Sequence, residues 1–219
     1  MDDNWEDIVL EYQKKLKDFN GIVSLHSPCY DLNPGSTDKK ILDVTRYRYL
    51  QAIKYSKLVG ASYIIFHCQM DPLLKVPEVK KRKLDNHIKF WKDMINNIED
   101  TDITFLLENE YDYDYKDLLY VLKGVDSPRL KCCLDTGHVL AYSGIDIEEW
   151  VKNLKEHVKY VHLHWNDGNS DAHQRPNNEF LLYIKEIFNE YNINPIITLE
   201  YYGLKDIVSE SKRIRKVLY

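Results

Sequence analysis

The imidazoles and carboxylates of this chain fall at regular places. In "KCCLDTGHVLAY", Lys131 to Tyr142, a short apolar run ends in Asp135 and His138 follows three residues later. Five other apolar runs end alike, in His26, His67, Glu108, His162 with His164, and Glu200. Neutral imidazoles and carboxylates are the ligands expected of zinc, manganese and similar divalent ions, and a mixed set leaves positions open for water or substrate. No thiolate set competes, because Cys29, Cys68, Cys132 and Cys133 lack zinc-knuckle spacing and read as reduced packing thiols. The loop after His164, "NDGNSDAHQRP", adds Asp171, His173 and Arg175. Alone, Asp171 reads as a turn residue, Arg175 as a solvated loop charge, and any one strand-end histidine as a satisfied polar cap. Six such endings in series do not read that way.

The elements that must position these residues follow from periodicity. The runs "GIVSLH", "SYIIFH", "DITFLLE", "LKCCLD", "KYVHLH" and "NPIITLE" are short and rich in β-branched and aromatic residues. Amphipathic helical patterns separate them. The first carries Trp5, Ile8, Val9, Tyr12, Leu16 and Phe19; the others fall near 38 to 59, 78 to 99, 114 to 123, 146 to 157, 177 to 191 and 205 to 218. Apolar strands alternating with helices predict an α/β fold with a parallel sheet covered on its faces. Such sheets place their active sites at the carboxyl ends of the strands. In "YVHLHW", strand alternation puts His162 and His164 on one face and Val161, Leu163 and Trp165 on the other.

Bulk properties narrow the class. The 219 residues, 44% hydrophobic and 30% charged, predict one domain over 1–219. No apolar run approaches the ~18 to 20 residues of a membrane span and no targeting segment is visible, so the expectation is a cytoplasmic protein without a membrane partner. A net charge of -5 repels polyanions over distance. The basic stretch "KKRKLDNHIK" from Lys80 lies on a helical pattern whose inner face is Leu84, Ile88, Trp91 and Ile95, so it reads as a solvated outer face.

Taken in order, "SLHSPCYDLN", "IIFHCQ", "LLENE", "CLDTGH", "VHLHWNDGNSDAH" and "IITLE" resemble the signatures of the xylose-isomerase-like TIM-barrel superfamily. That superfamily joins sugar isomerases and epimerases with endonuclease IV (AP endonuclease family 2). The resemblance implies a TIM-type (β/α) barrel and a shared metal site of Glu108, Asp135, His162 and Glu200. Endonuclease IV-type members bind three zinc ions, and the further ligands would fall on His26, His67, His138, Asp171 and His173. One to three ions, zinc or manganese, are therefore implied. Two departures stand out. Family barrels usually begin with two strands before the His-x-Pro strand, whereas here one helix, Asp3 to Phe19, precedes it. The barrel is expected to be open or incomplete, with unpaired edges at the strands ending in His26 and Glu200 and a second copy of the chain near the opening. After His173 the chain reads "QRPNNEF" where many isomerase-like members have a Gly-rich turn.

Three functional readings follow from the resemblance. The first is a metal-dependent sugar or sugar-phosphate isomerase or epimerase. In it Glu108 and Glu200 exchange a carbon-bound proton, His138 assists, and His26, His67, His164 and Arg175 contact the substrate. The second is an endonuclease IV-type phosphodiesterase acting at abasic sites in DNA, opposed by the acidic loop "ENEYDYDYKD" with Glu110, Asp112 and Asp114. The third is an inactive barrel serving as a binding subunit, against which nine retained ligand types speak. The sequence favours the first.

Overall fold

The computed structural model describes residues 5–98, 102–203 and 206–218. In chain order the elements are α1 (Trp5–Leu16), β1 (Ser24–His26), α2 (Lys39–Leu58), β2 (Tyr63–His67), α3 (Pro77–Asn96), β3 (Thr104–Glu108), α4 (Lys116–Val125), β4 (Leu130–Asp135), α5 (Thr136–Tyr142), α6 (Ile147–Leu154), β5 (Val158–Leu163), α7 (Asn178–Glu190), β6 (Ile196–Leu199) and α8 (Ile207–Leu218). All six expected strands and seven expected helices form. The expected helix limits at Asp3, Glu99 and Lys205 lie outside the described residues. Helix α5 is an addition, since the sequence there shows only a strand end followed by a histidine. Its start carries an ordinary signal, because Asp135 caps it by accepting from the His138 N–H at 2.7 Å.

The strands pair in sequence order, all parallel, and curl into an open half-barrel of the TIM type. Register places ligands side by side, with His67 opposite Glu108 and Asp135 opposite His162. Neighbouring strands sit only ~4.8 Å apart, so cross-strand side chains on one face must meet. The large apolar core lies between the sheet and its helices, around Phe66, Trp91, Phe105, Leu118 and Trp150. A small second cluster, Ile65, Leu106, Cys133 and Tyr160, fills the concave face below the strand ends. From it the Tyr160 hydroxyl reaches Ser24 Oγ on β1 at 2.8 Å and Thr198 Oγ1 on β6 at 2.5 Å. One side chain of β5 thereby links both edge strands across the curl.

Helix α1 packs on α2, with the Trp5 ring against Tyr55 and Gln13 donating to the Leu58 carbonyl, and buries none of its residues fully. All four cysteines are free. Among the described residues no helix is long and apolar enough to cross a membrane.

Candidate metal centre

The strand ends meet at one mouth, a cleft of about 310 Å³ lined by His26, His67, Glu108, His138, Asp171, His173 and Glu200, with Asp135 and His162 buried beside Glu108. Glu108 is the hub. Its Oε1 lies 2.8 Å from His162 Nδ1 and 3.7 Å from His138 Nδ1, while its Oε2 lies 3.1 Å from His26 Nε2 and 3.6 Å from His67 Nε2. His162 Nδ1 also meets Glu200 Oε2 at 2.7 Å and Asp135 Oδ2 at 3.8 Å. One donor atom from each of Glu108, Asp135, His162 and Glu200 lies within 4.8 Å of the others, and the same holds for His26, Glu108 and His162. A third group, His138, His164, Asp171 and His173, stands beside them.

The histidines are prepared as ligands. In His26, His138 and His173 the Nδ1 atom meets a backbone carbonyl, that of Ser27 at 2.9 Å, Asn109 at 2.8 Å and Glu200 at 2.7 Å. His67 Nδ1 faces Glu110 Oε1 at 3.0 Å. A proton held on Nδ1 by such a partner leaves Nε2 as the free lone pair, the arrangement that orients metal-bound imidazoles. His173 adopts a left-handed backbone (φ 43°), uncommon for a residue other than glycine, and this turn brings its ring back under Glu200. Asn109 braces Asp135 by donating to its carbonyl and accepting from its N–H, at 3.1 and 2.9 Å.

Electrostatics favours a cation here. Burial disfavours charge on His67, yet hydrogen bonding to Cys29 and Glu110 and the Glu108 charge overcome it and push the ring up to about 11. Burial likewise opposes charge on His138, but the Asp135 charge and the Asp171 hydrogen bond raise it to about 10. Burial would raise Glu108, but the charge of His162 and its hydrogen bond hold the carboxyl well below its usual range. Buried carboxylates this close demand positive partners. Without an ion the rings must carry the protons, and a divalent ion offers the same compensation. One buried oxygen, Asp171 Oδ1, has no hydrogen-bond partner. The residues present therefore fit a divalent metal.

The structure brings together the four expected core ligands and the further set of His26, His67, His138, Asp171 and His173. His164, expected to contact substrate, is fully buried against Asp135 and Asp171. Arg175 is not brought to the cleft. Its guanidinium forks onto Glu210 at 2.9 and 2.5 Å in a network with Tyr201 and Arg213. The acidic loop also differs from its expected role. Asp112 is buried, accepting from the Cys68 thiol and the Glu110 N–H at 2.9 Å each, and Asp114 pairs with Lys116, so of the three acids only Glu110 lines this cleft. Sequence reading missed the tyrosines at the rim, Tyr30, Tyr111, Tyr142 and Tyr202. They are scattered along four loops and helices, and no periodicity links them.

The sequence profile described as xylose isomerase-like TIM barrel matches residues 2–217. A probable endonuclease 4 of Mycoplasmopsis pulmonis is 27% identical over 183 residues, covering 75% of this chain and 63% of that protein. The chain thus spans under two thirds of that relative's length. A D-tagatose 3-epimerase-like protein superposes with a TM-score of 0.81 at 22% identity, over 97% of this chain and 82% of the other. A Thermus thermophilus protein soaked with zinc chloride gives 0.78 at 20% identity, over 99% and 86%. Both structural likenesses are to the fold.

Proposed function

Because the chain belongs to the xylose isomerase-like TIM barrel family, we propose that it is a divalent-metal-dependent phosphoesterase of the endonuclease 4 kind. The observation that carries this reading is the division of the Glu108 carboxylate, one oxygen toward His162 and the other toward His26 and His67. A buried carboxylate whose two oxygens face separate imidazoles could serve as ligand on both sides, and is poorly placed for a base that must reach a substrate proton. Glu108, Asp135, His162 and Glu200 would hold one ion, and Glu108, His26 and His67 its neighbour. The all-nitrogen-and-oxygen donor set suits zinc or manganese. The chemistry that divalent ions would supply when bound there is activation of water and neutralisation of charge on a phosphate ester.

The chain's own residues divide the remaining work. Glu110 Oε1 stands 3.0 Å from His67 Nδ1 and attracts that side of the ring. Asn109 fixes Asp135 and His138. Glu200 is the carboxylate of the first ion's set most open to the cleft, with 34% of its side chain exposed, and is placed to accept a proton from incoming water. The burial of Asp112 and the pairing of Asp114 remove most of the acidic wall that weighed against a phosphate substrate.

A second reading, the sugar isomerase or epimerase favoured by the sequence, retains support from one observation: no lysine or arginine is among the described residues lining the cleft. In that reading Glu108 and Glu200, which both approach His162 Nδ1, exchange the substrate proton across a single ion. The two are separated by incubating zinc- or manganese-loaded protein with bis(p-nitrophenyl) phosphate, with an abasic-site oligonucleotide and with a ketohexose. Metal-dependent release of nitrophenol or strand cleavage is expected. Epimerised sugar without ester cleavage would replace the proposal with the second reading, and no reaction on any of the three would favour the inactive barrel.

A further inference from the structure

Beside the metal cleft lies a larger groove that neither reading uses. It measures about 800 Å³, runs between the segment joining β2 to α3 and the segment joining β3 to α4, and shares Tyr111 and Tyr142 with the cleft. Those two rings meet edge to face with centroids 4.9 Å apart, so one aromatic partition borders both spaces. Tyr113 continues this wall and is 66% exposed, while the other segment contributes Leu73, which is 84% exposed. The wall is fixed before any ligand arrives. The Tyr113 carbonyl accepts from the Gly144 N–H and the Ser143 hydroxyl at 2.9 Å each, and its ring occupies the space that a Cβ on Gly144 would take. A rigid aromatic surface left in water is a platform for a flat partner.

Charge narrows what that partner is. Among the groove's ions, Lys80 pairs with Asp117 at 2.6 Å, Asp114 pairs with Lys116 at 2.7 Å, and Asp112 is buried. Lys75 is exposed and has no ion-pair partner among the described residues. The cleft has no lysine or arginine among its described lining residues, so a cation for a phosphate next to the reacting one has to come from outside it, and the adjoining groove supplies one. We propose that this groove takes an unpaired nucleotide adjoining the phosphoester at the metal centre, with its base on the Tyr111, Tyr113 and Leu73 surface and its phosphate at Lys75. The proposal rests on the phosphoesterase reading and adds its selectivity. Stacking on a side chain needs a base with a free face, which a paired base inside a duplex does not offer, so single-stranded or frayed strands are the preferred substrates.

The test is fluorescence anisotropy of the zinc-loaded chain with a labelled single-stranded oligonucleotide carrying a tetrahydrofuran abasic analogue, and with its duplex, over a range of salt, alongside cleavage of bis(p-nitrophenyl) phosphate. The single strand should bind more tightly than the duplex. Lys75→Gln should weaken that binding and lower the slope of log affinity against log salt by about 0.7, the loss of one phosphate contact on a single strand. Leu73→Glu, at an exposed position outside the core, should weaken it roughly tenfold through the lost stacking surface. Unchanged affinity and salt slope in both variants, or a duplex bound more tightly than the single strand, would overturn the proposal, and intact ester cleavage beside that result would leave the phosphoesterase reading standing. Single-strand binding that responds to both substitutions in a chain that cleaves no phosphate ester would keep the groove as a nucleotide site and overturn that reading.

Discussion

Glu108 and Asp135, at the ends of central strands β3 and β4, expose 1% and 0% of their side chains, whereas His26 on edge strand β1 and Glu200 just past β6 expose 35% and 34%. Glu108 and Glu200 carry the same carboxylate, and the difference between them lies in their surroundings. Central strands are flanked on both sides, so their terminal carboxylates are fixed by ladders, by Asn109 and by imidazoles before any ion arrives. The edges have one neighbour each and are joined mainly through the Tyr160 hydroxyl. Preorganised ligands in the middle give affinity, and open ligands at the rim leave room for exchange and substrate. The curl of a half-barrel thus sorts its ligands into two duties.

The sharpest attack on that division is Glu108→Gln. Partners one layer outside a metal ligand already cost ~10–100-fold when altered, so removing the bridging ligand should cost more than ~100-fold in turnover and release the central ions. Metal content and kcat measured on the same preparation check it. Glu200→Gln, at the edge, should also lose most turnover but retain the fold, with a melting temperature close to wild type. Metal loss and unfolding from the edge variant, matching those of the central one, would erase the distinction.

Asp112→Asn separates structure from chemistry within one loop. Burial raises this carboxyl to about 6, against the counteracting hydrogen bonds from Cys68 and Glu110. A folded value above the unfolded one means that the folded state prefers the protonated acid. Its favourable contribution is complete below the unfolded value and is lost as pH rises through about 6. Wild type should therefore lose on the order of 2–3 kcal/mol from this group between pH 4 and 7, and Asp112→Asn should abolish that part of the pH dependence with little change in turnover. Denaturant melts at the two pH values measure it.

Zinc uptake should strengthen as pH rises from 6 to 8, with protons released, because His67 and His138 are held protonated through this range by neighbouring carboxylates and must lose those protons to bind. Proton release followed with an indicator dye reads this directly. The smallest effect is expected of Arg175→Ala. Its guanidinium is committed to Glu210 outside the cleft, so KM should stay unchanged. A large rise in KM would restore the substrate role expected of it.

The strands and their ligands were legible because two periods coincide: alternation within each run and a chemically loaded residue at each run's end. "SYIIFH" and "DITFLLE" mark β2 and β3 within two residues at either end. Helix α5 was hidden because seven residues carry less than two full turns of pattern. The roles of Arg175 and Asp112 were misread for another reason. A charged loop residue looks alike in sequence whether it faces substrate or a distant partner, and Glu210 lies 35 residues from Arg175. The division of Glu108 between two groups of imidazoles, on which the functional reading rests, is a matter of side-chain direction that spacing does not encode.

That division is tested most directly by anomalous scattering from crystals of the zinc-loaded protein, with data on both sides of the zinc edge. Two peaks should flank the Glu108 carboxylate, ~3.5–4 Å apart, one against Asp135, His162 and Glu200 and the other against His26 and His67. A single peak at the first position, with Glu108 Oε2 turned free into the cleft, would contradict the bridging role.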